Sequence, residues 1–214
     1  MFDTDADPAN AGAGPGAGEL ALQGSLLSLG PPRPDHRFGH LQRTELAGGA
    51  WIDHQPGWLG GSDELWASLV GALPWRQRER PMYQQLLPEP RLTAWLALDD
   101  PGVPPALADL GRLVSDHYQR PLRTVGCNWY RDGRDSVAWH GDRVPSPGQA
   151  LVAIVSLGAR RPFLLRPRDG GPSRRHALGR GDLLVMGGTC QATWQHCVPK
   201  VARAEPRISV TFRD

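Results

Sequence analysis

Residues 207–213 read Arg207-Ile208-Ser209-Val210-Thr211-Phe212-Arg213 and alternate without a break. In an extended chain Arg207, Ser209, Thr211 and Arg213 share one face, and Ile208, Val210 and Phe212 share the other. An isolated, half-buried edge strand would give the same pattern, so the neighbouring sequence decides its meaning. Upstream, β-type runs at Thr124–Tyr130, Ala150–Ser156, Phe163–Arg166 and Asp182–Met186 alternate with turns rich in Gly, Pro and Arg. Short strands at this spacing predict a mainly β fold from residue 122 to the end, a β-sandwich or jelly roll. A two-sheet barrel offers a rigid mouth in which residues from distant strands converge.

Ahead of the strands the texture is helical. After a short strand at Ala50-Trp51-Ile52, Ser62 and Asp63 supply a helix start. Leu65, Trp66, Leu69 and Leu73 form its apolar stripe, and Pro74 stops it. A second helix begins at Pro104-Pro105, turns Leu107, Leu110, Val114 and His117 to one side, and ends at Pro121. Residues 1–35 are rich in Ala, Gly, Pro and Asp and predict a flexible tail, with a globular pattern starting near Leu46. The expected organisation is that tail followed by a single domain over 36–214: a helical part over 36–121, then the β core over 122–214.

The bulk properties exclude little. A formal net charge of +2 on 214 residues is too small to argue for nucleic acid by itself. Lys200 is the only lysine beside many arginines, which suit bidentate contacts to phosphate and carboxylate. Much of that bias accompanies the richness in Ala, Gly and Pro, as GC-rich codons would produce. No apolar run has the length of a membrane span, and the acidic opening MFDTDADPAN lacks the features of a signal peptide. A cytoplasmic monomer with no membrane association is the expectation. Cys127, Cys190 and Cys197 are odd in number and form no CxxC, which argues against a disulfide framework or zinc knuckle.

The chemistry-bearing triplet is His140-Gly141-Asp142. Side chains two apart in an extended segment point the same way, so His140 and Asp142 can reach one metal ion. His196, in Trp194-Gln195-His196-Cys197, supplies a third donor. Two histidines and a carboxylate make the facial triad of non-haem iron(II) oxygenases. It leaves open positions for a chelating co-substrate and for O2. An HxD alone is a weak signal in a chain with seven histidines. Its bland reading is a turn histidine beside a solvated aspartate. His36, His40, His54 and His176 are expected in solvated tail or loop positions, His117 packed on its helix, and Cys197 in the core. The arginines of 207–213, shortly after His196, suit bidentate capture of a dicarboxylate.

Taken in order, four stretches resemble the AlkB family of oxidative nucleic-acid dealkylases. They are Asn128–Arg131 with Asp135–Asp142, Val155–Phe163, Gly181–Met186 leading through Gln191–Lys200, and Pro206–Arg213. The match is closest to the branch with human AlkB homologues 2 and 3, and it extends loosely back through Pro74-Trp75 and Pro90–Trp95. The resemblance implies a double-stranded β-helix core with N-terminal helices and a nucleotide-recognition lid. It implies iron(II) on His140, Asp142 and His196, with 2-oxoglutarate and O2 as co-substrates. Arg207, helped by Tyr130, would hold the distal carboxylate of 2-oxoglutarate. Asn128 and Arg213 would lie near its chelating end, and Ser209 is a further co-substrate-binding position. Tyr83, Gln84, Arg91, Thr93 and Trp95 would approach a flipped base, and Trp139 is a further candidate for base contact. The implied activity is oxidative demethylation of alkylated bases in DNA or RNA, with repair by direct reversal of the damage.

Three departures bear on substrate choice. Ser209 stands where the family usually has Asn, Val144 where many members carry an acid, and Leu96 where a tyrosine often follows Trp95. They keep open an oxygenase of the same type acting on RNA or on protein N-methyl groups. A non-catalytic jelly roll that binds nucleic acid is the alternative outside enzymes. The stretch Gly158–Arg180 carries Arg160, Arg161, Arg166, Arg168, Arg174, Arg175 and Arg180, and is expected to form a phosphate-tracking surface or a solvated loop. Trp51, Trp66 and Trp194 are expected as packing residues.

Overall fold

Alternation along the central strands of the large sheet sends their two faces into two different cores. The computed structural model describes residues 30–82 and 85–214. In chain order its elements are β1 (Arg33–Pro34), β2 (Gln42–Glu45), β3 (Ala50–Gln55), β4 (Leu59–Gly60), α1 (Ser62–Ala72), β5 (Glu79–Met82), β6 (Gln85–Pro88), β7 (Leu92–Ala97) and α2 (Pro105–Tyr118). There follow β8 (Thr124–Tyr130), β9 (Val137–His140), β10 (Val152–Gly158), β11 (Arg161–Pro167), β12 (Arg174–Leu178), β13 (Leu183–Gly188), α3 (Cys190–Thr193), β14 (Trp194–Val198) and β15 (Arg207–Arg213). A seven-stranded sheet runs β2-β3-β13-β10-β15-β8-β7, and a four-stranded sheet runs β12-β11-β14-β9. All ladders within them are antiparallel. This is the expected mainly β jelly roll.

One core lies between the two sheets. Ile52, Tyr130, Val152, Ile154, Phe163, Leu165, Leu178, Leu184, Met186 and Val198 fill it. The other lies under α1 and α2, where Leu65, Leu69, Leu107, Leu110 and Val114 cover Ala153, Val155, Ile208, Val210 and Phe212. Burial on both faces explains why β10 reads as a continuous apolar run. β15 lies between β10 and β8. It is therefore a central strand, and its polar face is as buried as its apolar one.

The part ahead of residue 122 is less helical than expected. β2, β3 and β7 extend the large sheet, and β5 pairs antiparallel with β6. Order also starts earlier than Leu46. β1 pairs with β4, Asp35 accepts from Gln55 Nε2 at 2.8 Å, and Phe38 is buried, stacked on His117 with ring centroids 3.7 Å apart. Residues 1–29 of the expected flexible tail lie outside the described residues. His54 and His176 are not solvated loop residues. They sit on β3 and β12, their rings edge to face at 5.8 Å, and burial lowers the pKa of both.

Candidate active site

β9 and β14 are neighbours, and their register sets His140 directly opposite His196. The two imidazole centroids are 4.3 Å apart. Asp142, just past the end of β9, turns its Oδ2 to 3.5 Å from His196 Nε2. One donor atom from each of His140, Asp142 and His196 lies within 4.8 Å of the others. The His140 Nδ1–H is positioned to donate to the Ala138 carbonyl at 2.9 Å, which leaves Nε2 as the free donor. Phe163 stacks on His196 at 5.1 Å. Burial pushes His196 down to about 3, so it is a neutral imidazole near pH 7, as a metal ligand must be. Burial alone would raise the Asp142 carboxyl, but His196, Arg213 and His140 together hold it below the usual carboxylate range.

The inner face of the large sheet stands opposite. One row across the strands reads Thr93, Asn128, Ser209 and Ser156. The next holds Tyr130 and Arg207. Arg207 is 1% exposed, its Nη2 donates to Ser156 Oγ at 2.8 Å, and its Cζ lies 5.4 Å from the Tyr130 ring centre. Among the described residues its Nε and Nη1 have no partner. Burial lowers the Arg207 pKa to about 10, so the group remains a cation at neutral pH. Arg213 Nη2 donates to Asp142 Oδ1 at 2.5 Å, while its Nε and Nη1 are also without partners among the described residues. Buried N–H groups left this way are costly unless an acceptor arrives. Two arginines with free donors beside a His-Asp-His cluster fit a small dicarboxylate that also chelates a metal.

The remaining expected site residues divide. Arg91 donates to Asn128 Oδ1 at 3.0 Å and pairs with Glu89 at 2.9 Å. Trp95 is 43% exposed, with Arg213 over its ring at 4.5 Å. Thr93 lies buried in the same row as Asn128. Trp139 does not join them. It follows β9's alternation to the face opposite His140 and is covered by Arg166 at 4.0 Å. Tyr83 and Gln84 lie outside the described residues. Trp66 and Trp194 are buried, and Trp51 is half-buried beneath Arg43 at 3.9 Å.

Three supporting residues escaped sequence reading. Ser156 anchors Arg207. Gln191 Oε1 accepts the Asp142 N–H at 2.8 Å. Arg161, expected on a phosphate-tracking surface or in a solvated loop, is instead 1% exposed and donates to three backbone carbonyls. Only the register of Ser156 with Ser209 could have flagged the first. No local signal marks the other two.

Comparison with known proteins agrees with this geometry. The family profile described as the 2OG-Fe(II) oxygenase superfamily matches residues 88–213. The chain is 35% identical over 178 residues to alpha-ketoglutarate-dependent dioxygenase alkB homolog 3 of Homo sapiens, covering 71% of this chain and 61% of that protein. The mouse (Mus musculus) protein of the same name is 34% identical over 174 residues, with the same two shares. DNA oxidative demethylase ALKBH2 of Arabidopsis thaliana is 36% identical over 111 residues, 40% of this chain and 35% of that one. The chain thus spans 61% of the length of the alkB homolog 3 proteins it matches. Among solved structures, OsALKBH1 superposes with a TM-score of 0.58 at 16% identity, covering 81% of this chain and 100% of that one. A Trichoplax adhaerens prolyl hydroxylase gives 0.53 at 14% identity, covering 78% and 84%, and shares the fold. The chain belongs to the 2OG-Fe(II) oxygenase superfamily and, within it, to the AlkB family.

Proposed function

We propose that this protein is an iron(II)- and 2-oxoglutarate-dependent dioxygenase that removes alkyl groups from damaged bases in nucleic acid. The observation that carries the reading is the pair of buried arginines, each with unpartnered N–H groups, facing the His140–Asp142–His196 cluster. The similar proteins named as alkB homolog 3 dioxygenases and DNA oxidative demethylases supply the substrate class.

His140, Asp142 and His196 would hold iron(II), two neutral imidazoles and one carboxylate leaving adjacent positions open. Bound iron(II) with 2-oxoglutarate and O2 supplies the oxidation of an N-alkyl carbon, and the hydroxylated group then leaves as an aldehyde. The protein's part is positioning and exclusion of water. Arg207, fixed by Ser156, would take the distal carboxylate of 2-oxoglutarate through its free Nε and Nη1. Arg213 steadies Asp142 and offers two further donors toward the chelating end. Asn128, held by Arg91, and Ser209 border the same space. The exposed face of Trp95 can stack on a base, which must be unstacked or single-stranded for its alkyl carbon to reach the metal.

The test is anaerobic addition of iron(II) and 2-oxoglutarate, followed by O2 and oligonucleotides carrying 1-methyladenine or 3-methylcytosine. A weak visible absorption band, then succinate, formaldehyde and unmodified base, is the expected result. The band with succinate but intact lesions would redirect the substrate to RNA, other lesions or protein N-methyl groups. Folded protein without a band would remove the oxygenase reading.

A further inference from the structure

Arg161 is the largest departure from the sequence reading, and its surroundings are specific. It opens β11 and is 1% exposed. Its Nη1 donates to the Asp132 carbonyl at 2.9 Å, and its Nη2 to the carbonyls of Asp135 at 2.8 Å and Pro199 at 2.9 Å. Among the described residues no carboxylate bonds to it, since the Asp135 carboxylate is taken by the Arg131 side chain at 2.7 and 2.9 Å. A buried guanidinium held by carbonyl oxygens alone is an expensive fastening, and burial lowers its pKa.

The three acceptors lie at places that matter for the cluster. Asp132 follows the end of β8, Asp135 precedes β9, and Pro199 follows β14 directly. β8 carries Tyr130, β9 carries His140 and β14 carries His196. The pairing of β9 with β14 is itself thin. It consists of His196↔His140 and Val198↔Val137, with a register shift between them. A four-residue edge strand held by so short a ladder is free to slip or fray unless something outside the ladder fixes it. Arg161 bridges the approach to β9 and the exit from β14 with one side chain. A backbone bond from Val201 N to Gly133 O at 2.9 Å closes the same junction. Arg161 also stands 5.7 Å from the Tyr130 ring that Arg207 contacts, so the clamp reaches the proposed co-substrate side as well.

We infer that Arg161 is a positioning residue that fixes β9 against β14 and thereby sets the spacing of His140 and His196. The inference rests on the metal-binding reading above. Arginine suits the task because its planar fork serves three acceptors from fixed directions, which a lysine or glutamine cannot reproduce.

The test uses cobalt(II) alone, titrated anaerobically into the full chain and read by its visible bands, with thermal unfolding measured in parallel. Arg161→Gln is expected to weaken cobalt binding at least tenfold and Arg161→Lys by a smaller factor. Leu110→Ala, in the core under α2 and remote from the clamp, serves as a control that loses stability without touching it. It is expected to bind cobalt as the wild type does. Wild-type affinity in a folded Arg161→Gln variant overturns the inference. So does an equal loss of affinity in Leu110→Ala, since general destabilisation would then explain both. If neither Arg161 variant folds, the residue serves the fold as a whole and the inference is likewise overturned. Failure of the wild type itself to bind cobalt would instead count against the metal site, which separates the two readings.

Discussion

Gly141 carries no side chain, and the space this leaves is used. A Cβ at this position would lie 2.2 Å from Arg168 Nη2 and 3.0 Å from the Gln191 carbonyl oxygen. The arginine tip can swing away, but the carbonyl is backbone and can yield only by tenths of an ångström. Gln191 is also the residue whose side chain holds the Asp142 N–H. Gly141→Ala should therefore cost about 1 kcal/mol of stability, within the range for overpacking, and weaken cobalt(II) binding severalfold. Thermal unfolding and the cobalt titration measure the two effects, and unchanged affinity would show that Gln191 does not transmit the crowding. A second residue-scale expectation concerns Ser156. Ser156→Ala removes the hydroxyl that accepts from Arg207 Nη2. Losing a hydrogen bond to a charged group is worth roughly 1.5–3 kcal/mol, so the Kd for 2-oxoglutarate should rise about tenfold or more. Calorimetric titration in the presence of manganese(II) reads it, and an unchanged Kd would mean that Tyr130 alone holds Arg207 in place.

At the scale of elements, what was legible in the sequence follows from period and punctuation. The alternation of 207–213 sorts Arg207, Ser209 and Arg213 to one face because a strand has a period of two, wherever it sits in a sheet. Both long helices were legible from their apolar spacing and flanking prolines. Local pattern says which residues share a face, but not what covers that face. Hence β15 read equally well as an edge strand, although it is central. Arg161 read as surface charge for the same reason, since its carbonyl partners are 26 to 38 residues away in sequence. Trp139 falls on the face opposite His140 because neighbours on a strand face opposite ways. α2 shows how closely the covering layer fits. A Cβ on Gly111 would meet Leu98 Cδ1 at 2.9 Å and Phe212 Cδ1 at 3.2 Å, and Phe212 belongs to β15. Gly111→Ala removes a helix-interior glycine, worth roughly 1 kcal/mol in the variant's favour, and adds that contact against it. The larger Gly111→Leu should cost about 3 kcal/mol by forcing α2 off the sheet. Denaturant melts would register this as a lower midpoint, and a wild-type midpoint would mean that the helix docks loosely.

Across the whole molecule, the jelly roll buries more positive charge around the cluster than it neutralises. Among the described residues no carboxylate bonds to Arg207, and Arg213 shares Asp142 with two histidines. An isolated buried cation destabilises the fold that contains it, whereas the same cation bound to a carboxylate ligand does not. The ligand-free protein should therefore sit well below its attainable stability, and ligands that bind only the folded chain should restore the difference. With 2-oxoglutarate and manganese(II) each at about a thousand times its dissociation constant, linkage gives roughly 4 kcal/mol per ligand. For a chain of this size that corresponds to a Tm increase of about 10 °C for each. Arg207→Met separates the two contributions, since it removes the buried charge and keeps much of the apolar stem. Its ligand-free Tm should equal or exceed that of the wild type, while the increment from 2-oxoglutarate should vanish and the increment from manganese(II) alone should persist. If Arg207→Met instead melts several degrees lower without ligand, Arg207 is already satisfied by its surroundings. The free N–H groups of that arginine would then no longer argue for a dicarboxylate.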